Sequence, residues 1–211
     1  MKYIIMCGGS AYQYSTTPKP LRVVCGEPLV VRTIRLLKDQ GVNNIFISGS
    51  PEHFKGLGVP VLVHKNAPMH DPDWCWLNAF YPVREPVCYL CGDVFYSPEA
   101  IKTIVTYWTN DIMFFASAYP LSRLYVKRWR EPLGFKVGDP DRFFKCVEKT
   151  KLLDKEHRFN REPVSWELWQ VIKNTPLNTI LQNYIAINDY SVDIDSDEEA
   201  RELEKRVRWK P

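Results

Sequence analysis

The chain reads as a single α/β domain of three layers, with a mostly parallel central sheet covered by helices on both faces. Three observations predict this class. Short apolar runs alternate along the chain with stretches of helical spacing, which is the pattern of βα units. The runs are continuous rather than alternating, as expected for strands buried on both sides. At 211 residues, 45% hydrophobic and 25% charged, the chain has the size and composition of one globular domain.

The predicted strands are Tyr3–Cys7, Asn44–Ser48, Val59–Val63, Val87–Cys91, Asp111–Ala116, a weaker Gly134–Val137, and Asn183–Ile187. A helix is predicted over Pro28–Asp39, where Leu29, Ile34, Leu36 and Leu37 recur at helical spacing. Pro28 suits its first turn and Gly41 its stop. Ser97-Pro98-Glu99 opens a second helix running to about Trp108, Asp139-Pro140-Asp141 opens a third, and Ser165 precedes a fourth beginning at Trp166. Asp197–Val207 is predicted as a closing helix, acidic at its start and basic at its end, which suits the helix dipole. Two stretches, His64–Pro82 and Pro120–Pro132, fit no regular element, and His64 and His70 read as loop residues.

The charge balance excludes some partners. Twenty-eight basic against twenty-five acidic residues leave +3, which makes no electrostatic case for nucleic acid or an anionic membrane. No apolar run approaches membrane-spanning length, and the first residues do not have the form of a signal peptide, so a cytoplasmic location is expected. The six cysteines do not form a disulfide framework. Cys88 and Cys91 have ligand spacing but lie inside an apolar run, so they are expected to be buried reduced thiols.

In an open parallel sheet, ligands bind beyond the carboxyl ends of the strands. Three stretches fall there. The first strand runs into Gly8-Gly9-Ser10, followed by Ser15, Thr16 and Thr17 and then by Lys19 between Pro18 and Pro20. Glycines let backbone amides turn toward an anion, and a lysine on a stiff, extended segment adds charge. Alone, such a loop is more often a tight turn with a solvent-facing lysine. Asp93 follows the Val87–Cys91 run through Gly92, and Ser97 already takes the cap of the next helix, so Asp93 is left without a local role. Near the end, extended alternation puts Asp193 and Asp195 on one face, with Val192 and Ile194 on the other. One of these aspartates could simply cap the last helix. Carboxylates from two strand ends, a phosphate loop and a lysine together suit Mg²⁺-nucleotide chemistry, because Mg²⁺ takes one or two carboxylates and completes its shell with phosphates.

These motifs carry a family resemblance. YIIMCGGS, TPKPLRVVCGEPLVVRTIRLLKDQGVNNIFIS, YLCGDVFYS and VDIDSDEEARELEK occur in order and at suitable spacing over about a third of the chain. In them the chain resembles nucleotidyltransferases of the sugar-phosphate and phosphocholine cytidylyltransferase type. The resemblance implies a Rossmann-like fold of the nucleotide-diphospho-sugar transferase kind, and a Mg²⁺-dependent transfer of a nucleotide from a nucleoside triphosphate to a phosphorylated small molecule. CTP is slightly favoured, and a homodimer is left open. It divides the chain into a nucleotide-binding half to about residue 120, an acceptor-specificity region at 121–178, and a closing strand, metal aspartate and helix at 179–211.

By the same resemblance, Lys19, Asp93 and Asp195 are the catalytic candidates, with Asp93 and Asp195 holding the metal. Cys7, Gly8, Gly9, Ser10, Ala11, Gln13, Asn78 and Gly92 join Lys19 and Asp93 on the nucleotide side. Gln13 stands where the family carries an arginine that grips the triphosphate; an amide there donates hydrogen bonds but adds no charge. Arg158, Arg161, Glu162 and Trp166 are the acceptor-side candidates, and Trp74 and Trp76 could join Trp166 as an aromatic wall. A surface loop whose tryptophans pack on the core fits that stretch equally well. Two other readings stay open: a glycosyltransferase of the same fold, and a nucleotide-binding domain without turnover. The first would want an Asp-x-Asp where this chain has Gly92-Asp93-Val94. Its Asp-x-Asp strings are at Asp71-Pro72-Asp73 and Asp193-Ile194-Asp195 instead.

Overall fold

The computed structural model describes residues 1–8, 17–63, 75–118, 130–179 and 183–208. Its first half is built from β1 (Lys2–Met6), a short hairpin of β2 (Val23–Val24) and β3 (Glu27–Pro28), α1 (Leu29–Asp39), β4 (Ile45–Ser48), the short α2 (Pro51–Phe54) and β5 (Val61–Leu62). Then follow β6 (Val87–Cys91), β7 (Val94–Phe95), α3 (Pro98–Thr106), β8 (Ile112–Ser117) and β9 (Pro132–Val137). The chain closes with α4 (Pro140–Lys155), α5 (Ser165–Lys173), β10 (Ile185–Ile187), β11 (Val192–Asp193) and α6 (Asp197–Arg208).

Among the described residues the main sheet has seven strands in the order β10-β8-β9-β6-β1-β4-β5. All neighbours run parallel except β9, which is antiparallel to both β6 and β8. Successive residues of a strand face opposite sides of the sheet. Ile4 and Ile5 of β1 are both fully buried, as are Val87, Cys88, Tyr89 and Leu90 of β6, so both faces are covered at the centre. That is why these strands appear as unbroken apolar runs. An aromatic cluster fills one region of this core, with Phe80, Tyr89, Phe114, Phe135, Phe143 and Trp169 in edge-on, stacked and tilted contacts.

The helices follow their sequence signals closely. α1 buries Leu29, Val30, Thr33, Ile34, Leu36 and Leu37 and is followed by Gly41 at φ +76°. Ser97 caps α3 by accepting from Ala100 N–H at 2.8 Å, and Asp139 caps α4 by accepting from Arg142 N–H at 3.0 Å.

Four expectations are corrected. α3 stops at Thr106 rather than Trp108, because the buried Lys136 ammonium donates to the carbonyls of Ile104 and Val105 at 2.9 Å and also binds that of Tyr107. This closes the helix by a lysine at its negative end. α5 begins at Ser165 itself, with Val164 as its cap: the Glu167 carboxylate reaches back to Val164 N–H at 3.0 Å. The edge strands β5 and β10 are shorter than expected, at Val61–Leu62 and Ile185–Ile187. The strand expected at Gly134–Val137 starts earlier, at Pro132.

A smaller second core positions the site. Val24, Leu29, Phe95, Val192, Ile194, Ala200 and Leu203 pack together, joining the β2–β3 hairpin, β7, β11 and α6. The main sheet's orientation brings the ends of β1, β4, β6, β8 and β10 and the start of β9 to one edge. This second core lies beside it.

Candidate active site

Lys19 begins a tight 3-10 turn over Lys19–Leu21, closed by Leu21 N–H to Pro18 C=O at 2.9 Å and Arg22 N–H to Lys19 C=O at 3.0 Å. This differs from the extended segment expected between two prolines. Pro20 is buried in the turn rather than stiffening a straight run. The turn presents the Lys19 ammonium to Asp195, with Nζ 2.6 Å from Oδ1.

Asp93 reaches the same place through the sheet. β6 ends at Cys91, Gly92 turns the chain, and β7 follows at once. β7 pairs antiparallel with β11, Val192 opposite Phe95 and Asp193 opposite Val94. The ladder is extended by Ile194 N–H to Asp93 C=O at 2.9 Å. The two aspartate-bearing segments, a hundred residues apart in sequence, are thus fastened side by side. Val192 and Ile194 face the second core while Asp195 is exposed, which is the predicted alternation.

The electrostatics agree. Burial pulls the Lys19 pKa down, but the hydrogen bond to Asp195 and the charges of Asp93, Asp195 and Asp193 outweigh it, and the pKa is raised. Burial is also the main cause of the high pKa at Cys7 and Cys91, and Asp93 adds to both. Cys88 is pushed up to about 12 by burial. None of the six cysteines forms a disulfide. The thiols at this edge are therefore protonated packing groups rather than nucleophiles or thiolate ligands.

Gly92 is required by space. Its N–H donates to Met6 C=O at 3.0 Å, and a Cβ added there would sit 2.5 Å from that oxygen and 2.7 Å from Cys7 Sγ. Cys7 itself is buried, with its N–H on Ser48 C=O at 2.7 Å, and it delivers Gly8 to the edge. Asn78 lies in a 3-10 turn, Trp76–Ala79, which Ser48 Oγ holds over the end of β4 by donating to Ala79 C=O at 3.4 Å. Gly9, Ser10, Ala11 and Gln13 lie outside the described residues, as do His64, His70, Asp71, Asp73 and Trp74.

Of the acceptor-side candidates, Arg158, Arg161 and Glu162 sit in a well-tied loop between α4 and α5, and Trp166 lies in the first turn of α5. Arg161 Nε donates to Glu167 Oε1 at 2.7 Å, so this arginine takes part in the α5 cap while its side chain stays 60% exposed. Glu162 is raised in pKa by burial and by Asp154, opposed by a hydrogen bond from Trp76 N–H, which ties the loop to the Asn78 turn. Arg158 is exposed and its C=O accepts from Asn178 Nδ2 at 3.1 Å. Trp166 packs edge-on to Phe114 and Tyr184, with ring centroids at 4.8 and 5.3 Å, and Trp76 packs edge-on to Phe80 at 5.5 Å. Both tryptophans are core neighbours.

Two groups of this region escaped the sequence reading. Glu131, 5% exposed, stands at the start of β9 with its charge felt at Cys91. Arg22 directly follows the Lys19 turn, and its partners are distant in sequence. Only the adjacency of Arg22 to Pro-Lys-Pro-Leu could have signalled it.

The arrangement can bind an anion at Lys19 and Gly8, and it can offer hard carboxylate oxygens from Asp93 and Asp195. The family model of the MobA-like NTP transferase domain matches residues 3–139, which includes Lys19 and Asp93 and stops short of Asp195. Among curated proteins none matches the chain significantly. Solved structures with the same fold include a putative glucose-1-phosphate thymidylyltransferase from Bacillus anthracis (16% identity, TM-score 0.62, covering 100% of this chain and 96% of that one). CTP:phosphocholine cytidylyltransferase from Streptococcus pneumoniae is similar at 16% identity and TM-score 0.56, covering 98% of each chain. The inositol-1-phosphate CTP transferase from T. maritima is similar at 15% identity and TM-score 0.57, covering 99% of this chain and 96% of that one.

Proposed function

Since the chain belongs to the MobA-like NTP transferase domain family, we propose that it is a Mg²⁺-dependent nucleotidyltransferase joining a nucleoside triphosphate to a phosphorylated small molecule, with release of pyrophosphate. The observation that carries this reading is the meeting of Lys19 and Asp195 at 2.6 Å, beside an Asp93 fastened to the same segment by the β7–β11 ladder. CTP is the leading nucleotide, a choice supported by the two similar structures named for CTP. Sugar phosphates and phosphorylated amino alcohols are the leading acceptors.

The donor set suits the metal. Among the described residues no group of three His, Cys, Asp or Glu side chains is placed to hold a metal ion. Two aspartates at an open edge match the way Mg²⁺ is held by one or two carboxylates together with substrate phosphates. When bound, the ion would draw charge from the reacting phosphates.

The chain's own groups supply the rest. An oxygen of the acceptor phosphate attacks the α-phosphorus in line, the bond from that phosphorus to the bridging oxygen breaks, and pyrophosphate leaves. Two polyanions must be brought to about 3 Å, so orientation and charge neutralisation carry most of the catalysis. Gly8 offers its backbone amide to the phosphates, and Lys19 adds positive charge. No general base is required, because a phosphate monoester is already ionised near neutral pH.

A pyrophosphate-release screen tests the reading, crossing the four nucleoside triphosphates with phosphorylated sugars, polyols and amino alcohols, with and without Mg²⁺. Release that needs one pair and the metal is expected. Nucleotide binding with no release from any pair would make the chain a non-catalytic nucleotide-binding domain, which the neutral Gln13 would favour.

A further inference from the structure

We infer that Arg22 is the positioning residue that sets the spacing of Lys19 and Asp195. It is the residue that closes the Lys19 turn, through its own N–H on Lys19 C=O at 3.0 Å. Its side chain is only 17% exposed and crosses to the other segment of the site. Nη1 donates to Ile194 C=O at 2.8 Å, and Nε lies 3.0 Å from Asp197 Oδ1. Those two acceptors flank Asp195 in sequence, one residue before it and two after it. The guanidinium therefore grips the Asp195 segment on both sides, from a point three residues beyond Lys19.

The geometry matters because a planar guanidinium that donates to Ile194 C=O and pairs with the Asp197 carboxylate holds the segment at two points rather than one. Other ties on and around the Asp195 segment are of different kinds. Ile194 is buried in the second core, Glu199 Oε2 accepts from Asp195 N–H at 2.7 Å, and Glu204 Oε1 accepts from Cys25 N–H at 2.6 Å. These hold α6 and the hairpin in place. Besides the Lys19–Asp195 ion pair itself, Arg22 joins the Lys19 turn to the residues that flank Asp195. With its Nε and Nη1 committed to Asp197 and Ile194, it acts through Asp195 rather than on a phosphate.

The catalytic side of this inference rests on the function proposed above, so the test has one readout that does not. Amide hydrogen exchange is measured by mass spectrometry on the full chain, wild type beside Arg22→Met and Arg22→Lys. Losing the charged hydrogen bond to Ile194 and the ion pair to Asp197 should speed exchange in peptides covering 193–198 by about tenfold or more in Arg22→Met. Arg22→Lys, which can satisfy one acceptor, should recover part of the protection. Peptides from β1, β4 and β6 should be unchanged. In pyrophosphate release, kcat should fall about tenfold while the acceptor KM stays within about twofold.

Unchanged exchange at 193–198 overturns the inference. So does faster exchange across the whole sheet, which would make Arg22 a general stabiliser. A raised nucleotide KM with unchanged kcat and exchange would make it a ligand contact, also against the inference. A wild type that releases no pyrophosphate would remove the proposed function, while the exchange data still decide whether Arg22 holds the segment.

Discussion

Gly92→Ala should damage the site more than the fold. The new methyl carbon would lie 2.5 Å from Met6 O, 2.7 Å from Cys7 Sγ and 3.2 Å from Met6 C. Non-bonded carbon contacts are comfortable at about 3.5–4.0 Å, so an offset on the order of 1 Å must be found somewhere. Met6 cannot supply it, because β1 is bonded on one side to β4 and on the other to β6. The Gly92 turn must retreat instead, lengthening its 3.0 Å bond to Met6 C=O and carrying Asp93 with it. Overpacking of this kind costs about 1–3 kcal/mol and the weakened hydrogen bond about 1 kcal/mol. At about 2–4 °C per kcal/mol for a domain of this size, the expected fall in Tm is on the order of 10 °C. A misplacement of about 1 Å at a reacting centre can cost about a hundredfold in rate. Thermal melts and pyrophosphate release at 25 °C, where both proteins are folded, measure the two effects separately. Adding Cys7→Ala relieves the sulfur contact but not the one with Met6 O, so it should restore part of the Tm and little of the turnover. A Gly92→Ala variant with wild-type Tm and turnover would refute the reasoning.

Two further predictions concern stability. Lys136→Met removes a buried ammonium, 4% exposed at residue level, that closes α3 through three carbonyls. The lost charged hydrogen bonds outweigh the relief of burial by about 3 kcal/mol, so Tm should fall by about 6–12 °C. A melt unchanged from wild type would contradict that account. Glu27→Gln tests a pH-dependent pair: Arg35 donates to Glu27 through Nε at 3.0 Å and Nη2 at 2.8 Å, and this bond holds the Glu27 pKa down. A depressed carboxylate stabilises the fold above its unfolded pKa of about 4.3 and stops doing so as pH falls through the folded value. The gap in urea midpoint between wild type and variant should therefore be present at pH 7 and close on acidification. A gap that persists at the acid end would count against it.

The parts of the fold that were legible in sequence share a physical cause. β1 and β6 are covered on both faces, so burial writes them as unbroken runs, KYIIM and VCYLC. Asp93 could be singled out because Ser97 already capped α3, as the 2.8 Å bond from Ala100 N–H bears out. What stayed hidden depends on tertiary partners. Two-residue strands such as β7 and β11 are too short to show a period, yet their pairing brings Asp93 and Asp195 together. Nothing in GFKV marks β9 as antiparallel, and its Lys136 looks solvent-facing until α3 ends above it. Arg22 meets a carbonyl 172 residues away. For Arg161 the sequence fitted a phosphate grip and a surface loop equally well, and it did not show the bond from its Nε to Glu167 at the start of α5.

The central claim is that Asp93 and Asp195, held across Lys19 at one sheet edge, support metal-dependent nucleotidyl transfer. Asp93→Asn tests it most directly, since the amide keeps the shape of the side chain and removes its charge. With the nucleotide and acceptor that give turnover in the wild type, the variant should keep the wild-type melt and lose pyrophosphate release by about a thousandfold. A folded Asp93→Asn protein that turns over at the wild-type rate in Mg²⁺ would contradict the claim.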